Sequence, residues 1–110
     1  MRGTHEVSDN YQIYRLTGLL DAFSEPNFRK VLKSGLEQGP NNIILDLSHI
    51  DFIDSSGIGT LVRIDKDTKA IAGTLQIIGN ARVIQTIKLV RLENYLTLKP
   101  SLEEAIKSIK

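Results

Sequence analysis

The stretch NIILDLSHIDFIDSSGIGTLV, Asn42 to Val62, is where the fold is decided. Its opening residues, Asn42 to Leu47, form a nearly unbroken apolar run of strand length, the pattern expected of a central strand covered on both faces of a parallel sheet. Its end carries Ile58, Leu61 and Val62 at helical spacing, a stripe that continues to near Gly73. Between the two lies Asp54-Ser55-Ser56-Gly57, a carboxylate and two hydroxyls ahead of a glycine, with Gly59 close behind. The loop from the carboxyl end of a central strand into the following helix is where α/β sheets meet their ligands and partners, so this tetrapeptide is the candidate functional loop.

Working outward, YQIYRL (Tyr11 to Leu16) alternates β-formers with polar residues, and His5-Glu6-Val7 before the Ser8-Asp9-Asn10 turn supplies a hairpin partner. Ser24 is in place to cap a helix carrying Phe28, Val31, Leu32 and Leu36, with Glu25 at its positive end and Gly39-Pro40 closing it. After the opening stretch, Thr74 to Ile78 reads as a short strand. Val83, Ile84, Ile87 and Val90 read as a helix, and Tyr95 to Leu98 as a last strand. The C-terminal SLEEAIKSIK has Ser101 and Glu104 as a capping box and Leu102, Ala105, Ile106 and Ile109 on one face. Alternating strands and helices from residue 11 onward predict one α/β domain over residues 1–110. Its sheet is mixed and mostly parallel, of four to five strands, packed with about four helices.

Composition narrows the functional classes. In 110 residues, 14 Lys and Arg against 13 Asp and Glu leave a net charge of +1, which offers no electrostatic case for nucleic acid or an anionic membrane. The chain has no cysteine, which removes disulfides, thiolate chemistry and Cys-ligated zinc, and His5 and His49 are the only imidazoles. No metal site or cofactor is expected. The N-terminus MRGTHEVSDN has no apolar signal segment and no 18-residue apolar run occurs, so the expectation is a soluble, cytoplasmic protein.

Catalytic readings of the loop fail on spacing. A hydrolase elbow requires Gly-x-Ser-x-Gly, but Ile53 and Asp54 precede Ser55 and no histidine follows it to serve as base. Gly57-Ile58-Gly59 begins like a dinucleotide fingerprint, yet Val62 stands where a third small residue belongs, and no Gly-x-x-x-x-Gly-Lys is present. His49 beside Asp51 is a poor acid–base pair. Two readings remain for Asp54, Ser55 and Ser56. They are helix caps only, or they include a serine that is acted upon: a hydroxyl at a helix N-terminus is reachable by a kinase, and the helix dipole tolerates the phosphate.

The chain resembles the STAS-domain family, and within it the single-domain anti-sigma-factor antagonists. IILDLSHIDFIDSSGIGTLV is similar to that family's strand, acidic loop and phosphoacceptor motif, LTGLLDAFS to its N-terminal segment with Asp21 at the acidic position, and GNARVIQTIKLVRLENYLTL to its later helix and last strand. The resemblance implies a non-catalytic module that binds an anti-sigma factor doubling as a serine kinase of the histidine-kinase-like ATPase type. It also implies phosphorylation on Ser55, with Ser56 as the neighbouring hydroxyl, and restoration by a PP2C-type phosphatase. Leu19 departs from the glutamate many members carry there, which bears on partner identity. A ligand- or nucleotide-sensing module, a relay component with a non-sigma client and a small α/β enzyme remain alternatives. The partner surface is expected to take in Asp21, Asp54, Ser55, Ser56, Gly57, Ile58, Gly59, Arg63 and Ile64, on a monomer or weak dimer. Asp21, Asp46 and Asp54 are expected around the mouth of the Ser55 loop, and Ile64 is expected to be exposed, on the flank of the Ile58-Leu61-Val62 stripe, with Arg63 outermost.

Overall fold

A computed structural model describes residues 1–109. Its elements in chain order are β1 (Arg2–Val7), β2 (Gln12–Leu20), α1 (Glu25–Gln38), β3 (Asn42–Ile53), α2 (Ser55–Ala70), β4 (Thr74–Gly79), α3 (Ala81–Leu89), β5 (Leu98–Lys99) and α4 (Leu102–Ile109). The sheet has five strands in the order β1-β2-β3-β4-β5, antiparallel between β1 and β2 and parallel thereafter. This is the mixed, mostly parallel architecture expected from the sequence, helices included.

The central strands bury side chains on both faces, which is why Ile43 to Leu47 is apolar at every position but Asp46. On one face Ile43, Leu45, Leu47, Ile50 and Ile53 pack with residues of α1 (Phe28, Leu32), α2 (Ile58, Leu61, Ile64) and α3 (Val83, Ile87). On the other, Ile13, Ile44 and Ile78 are covered by Ala105, with Leu102, Ile106 and Ile109 of α4 around it. The Ser101 side chain accepts the Glu104 N–H at 3.2 Å, which is one half of the expected capping box, while the Glu104 carboxylate lies 3.9 Å from Lys107 Nζ.

Four local expectations are corrected. β3 does not stop at Leu47 but runs to Ile53. Relative to β2 it carries extra residues between the Arg15↔Asp46 and Thr17↔His49 pairs and between Gly18↔Ile50 and Leu19↔Phe52. These bulges re-aim the strand so that Ile50 and Ile53 stay in the core although Ser48, His49 and Asp51 interrupt the apolar pattern. Ser24 occupies the N-cap position of α1 but makes no capping bond, because its hydroxyl oxygen accepts the Asp21 N–H at 3.0 Å instead, while its proton goes to the Leu19 carbonyl at 2.8 Å. Val31 and Val90 are exposed rather than on the buried stripes of α1 and the segment after α3. The last strand is only Leu98–Lys99, since Tyr95 and Leu96 are held in a turn by the Leu92 carbonyl, which places Leu96 in the core.

Beyond Leu47, β3 loses β4 as a neighbour, whose pairing ends at Gly79. Asn80 takes over that edge. Its amide donates to the carbonyls of Ser48 (3.1 Å) and Ile50 (2.7 Å), while its Oδ1 accepts the Val83 N–H at 2.8 Å to cap α3. The end of β3 thereby runs on past β4, paired with β2 alone, and carries the Asp54 loop with it.

Candidate functional site

The site is built where β2 and β3 end side by side, Leu20 paired with Ile53. The Asp54 N–H donates to the Leu20 carbonyl at 3.2 Å, and Asp54 then turns the chain into α2. Its φ of −109° and ψ of −173° are extended, as a helix N-cap requires, and its Oδ1 accepts the Gly57 N–H at 3.0 Å. Its other oxygen, Oδ2, accepts the Ala22 N–H at 3.3 Å. One carboxylate therefore caps α2 and latches the β2–α1 turn to it.

Asp21 shapes that turn. Its Oδ1 accepts the N–H groups of Phe23 and Ser24, both at 3.1 Å, an Asx-type turn of the kind aspartate favours. Asp21 and Asp54 thus lie on adjacent loops, as expected, and both also do structural duty. Asp46 does not join them. It sits mid-strand opposite Arg15 and Ile78, with Oδ1 accepting the Ser48 N–H at 3.1 Å and the Ser48 hydroxyl at 2.6 Å, so it serves the β3 bulge instead of the loop mouth. His49 is exposed and its Nδ1 lies 3.0 Å from the Ser48 hydroxyl, not engaged with Asp51.

Ser55 is the first residue of α2 and is exposed; Ser56 is half-buried. The Ser56 carbonyl lies 3.1 Å from the Thr60 hydroxyl, which also reaches Glu25 Oε1 at 2.9 Å, and Arg29 Nε is 3.4 Å from the same carboxylate oxygen. These contacts tie the start of α1 to the first turns of α2. Beside them a groove of about 600 Å³ is lined by Ser55, Ser56, Gly59, Arg29, Arg63 and Lys66. Gly57 is buried, and a Cβ there would stand 2.6 Å from the Leu20 carbonyl oxygen and 2.8 Å from Ile53 Cγ1, so glycine is required for α2 to approach the strand ends.

Three residues assigned to the partner surface are buried instead, Gly57 against the strand ends and Ile58 and Ile64 in the core. Ile58 is buried, and Ile64 is 2% exposed, so neither is available to a partner in this conformation. The buried positions of α2 are Gly57, Ile58, Thr60, Leu61, Ile64, Asp65 and Thr68, a stripe centred on Leu61. At about 100° per residue Val62 lies roughly 100° from that centre and Ile64 about 60° from it, so counting Val62 as core turned the helix the wrong way. Arg63 is exposed as expected.

Sequence reasoning also missed Phe23 and Asp65. Phe23 is 96% exposed, presented by the Asp21 turn next to the Asp54 latch. An aromatic directly after Leu-Asp-Ala was its only signal. Asp65 is 1% exposed and lies 2.9 Å from Lys69 Nζ, and this partner raises the lysine's pKa. Its place on the stripe, seven residues after Ile58, was the available signal. Among the described residues no group of three or more His, Cys, Asp or Glu side chains could hold a metal ion. No helix among them is long and apolar enough to cross a membrane.

Comparison with known proteins agrees with this geometry. Residues 4–105 match the family model described as the STAS domain. The chain belongs to the STAS domain family. Over 84 residues the domain is 29% identical to a Thermotoga neapolitana protein described as a candidate anti-sigma factor antagonist and TM1081 homologue, covering 74% of each chain. The crystal structure of the candidate anti-sigma factor antagonist TM1081 from Thermotoga maritima superposes with a TM-score of 0.90 at 25% identity, over 97% of this chain and 93% of that one. The Bacillus cell fate determinant SpoIIAA in its phosphorylated form shares the fold, with a TM-score of 0.75 at 23% identity over 99% and 100% of the two chains.

The double role of Asp54 has a measurable consequence. Asp54→Ala removes the acceptor of both the Gly57 and the Ala22 N–H groups, and loss of an N-cap costs about 1 kcal/mol or somewhat more. Thermal unfolding should stay cooperative with Tm lowered by roughly 5 °C. An unchanged Tm would show that neither bond stabilises the loop.

Proposed function

We propose that this STAS domain is an anti-sigma factor antagonist that works as a phosphorylation-switched binding module and has no catalysis of its own. Unphosphorylated, it binds an anti-sigma factor that is also a serine kinase of the histidine-kinase-like ATPase type. That kinase phosphorylates Ser55, and a PP2C-type phosphatase removes the phosphate. The domain acts in the cytoplasm as a monomer or weak dimer.

The observation that carries the reading is the position of Ser55. Its hydroxyl is exposed at the first position of α2, and the backbone around it is fixed by bonds that do not use that hydroxyl. The first turn of a helix leaves N–H groups without intrahelical acceptors and carries the positive end of the dipole, so a phosphate there is accommodated without unwinding the helix. The relatives described as candidate anti-sigma factor antagonists support the choice of partner.

The test is incubation with the cognate kinase and ATP followed by phosphopeptide mapping. Phosphate on Ser55, absent in Ser55→Ala and retained in Ser56→Ala, is expected. Phosphate on Ser56 would overturn the assignment.

A further inference from the structure

The two glycines of the loop stand in opposite circumstances. Packing against Leu20 and Ile53 requires Gly57. At Gly59 an added Cβ would meet nothing within 4 Å, and the residue is exposed inside α2, with no positive φ to account for it. Glycine in a helix interior is less stable than alanine because it loses more backbone freedom on folding. Nothing among the described residues of this chain offsets that loss.

Helix geometry shows what the missing side chain leaves free. Residues four apart lie one above the other on a helix face, and every Cα–Cβ bond leans toward the helix N-terminus. A side chain at position 59 would therefore lean over Ser55, and Ser55 and Gly59 do line the same groove. We propose that Gly59 is the access residue for modification of Ser55: it leaves open the space through which the rim of a kinase or phosphatase active site reaches the hydroxyl. The proposal rests on the reading of Ser55 as the phosphoacceptor.

The molecule contains its own comparator. Ala81 is the exposed first residue of α3, under the Asn80 cap as Ser55 is under the Asp54 cap, and Gln85 occupies the position four residues on. Gly59→Gln thus gives α2 the covering that α3 already has. Because the chain has no cysteine, Ser55→Cys and Ala81→Cys each supply a single reporter thiol.

The experiment compares labelling of the Ser55→Cys thiol by iodoacetamide, a small reagent, and by fluorescein maleimide, a bulky one, with and without the Gly59→Gln substitution. The ratio of the two rates cancels changes in thiol ionisation. In the Gly59→Gln background the bulky-to-small ratio at position 55 should fall about tenfold, the effect of roughly 1.4 kcal/mol on a barrier, while Tm rises by about 5 °C. The same ratio for the Ala81→Cys thiol should not move. An unchanged ratio at position 55, with the variant folded, overturns the proposal even if Ser55 is the phosphorylated residue. Phosphate mapped elsewhere sinks the reading of Ser55 and leaves the labelling ratio as it was, so the two failures are told apart.

Discussion

A phosphate on Ser55 should lower affinity for the kinase partner by about a hundredfold or more, with the fold left nearly unchanged. Phosphorylation adds about −1.5 to −2 charges and three acceptor oxygens at an exposed site on the first turn of α2. If a partner carboxylate stands roughly 6 Å away across the interface at an effective dielectric near 20, Coulomb's law gives a repulsion of a few kcal/mol. That corresponds to about two decades in affinity or more, before steric and desolvation costs are counted. The domain itself should hold. The Asp54 carboxylate keeps both of its N–H donors, at Gly57 and Ala22, and negative charge at a helix N-terminus is favourable. Protein carrying encoded phosphoserine at position 55, titrated calorimetrically against the kinase, reads the loss directly. Ser55→Ala should bind persistently, and Ser55→Asp, with one charge on a shorter side chain, should reproduce only part of the loss. Amide NMR shifts should be confined to the start of α2 and the adjoining Asp21–Ser24 turn. Equal affinity of the two forms would sink the electrostatic switch, and shifts spreading across the sheet would replace it with a conformational one.

What the sequence disclosed follows from how many residues carry each signal. The nearly unbroken apolar run from Ile43 to Leu47 and the apolar face of α4 repeat one instruction several times over, so the central strand and the docked C-terminal helix were legible. The second half of β3 was hidden because its polar residues belong to bulges, which break the periodicity on which strand recognition depends. Ser24 misled for a different reason. A serine shortly before an apolar helix position reads as a cap, but its oxygen has a competing local donor in the Asp21 N–H, and its proton goes to the Leu19 carbonyl, which only the folded turn brings near. At the site, the motif marked Ser55, Asp54 and Gly57 correctly as neighbours. It could not say that Asp54 also latches Ala22, a contact 32 residues away in sequence.

The misplacement of Ile64 turns a surface test into a stability test. Ile64 packs in the core among residues of α1, α2 and the sheet, and it is 2% exposed. Ile64→Ala removes buried methyl and methylene groups and leaves a cavity that the surrounding core fills only in part, a change that costs about 2–5 kcal/mol. For a domain whose total stability is of the order of 5–15 kcal/mol, that is a large share, and Tm should fall by at least about 10 °C. Val62, half-buried one turn-face away and lining the groove near Ser55, is the matched control: Val62→Ala should cost about 1 kcal/mol or less. Urea titration of both variants separates them, with the Ile64→Ala midpoint much lower at an unchanged slope. If the two substitutions cost the same, the helix is rotated from the orientation described, Val62 shares the core, and the surface that partners meet on α2 shifts with it.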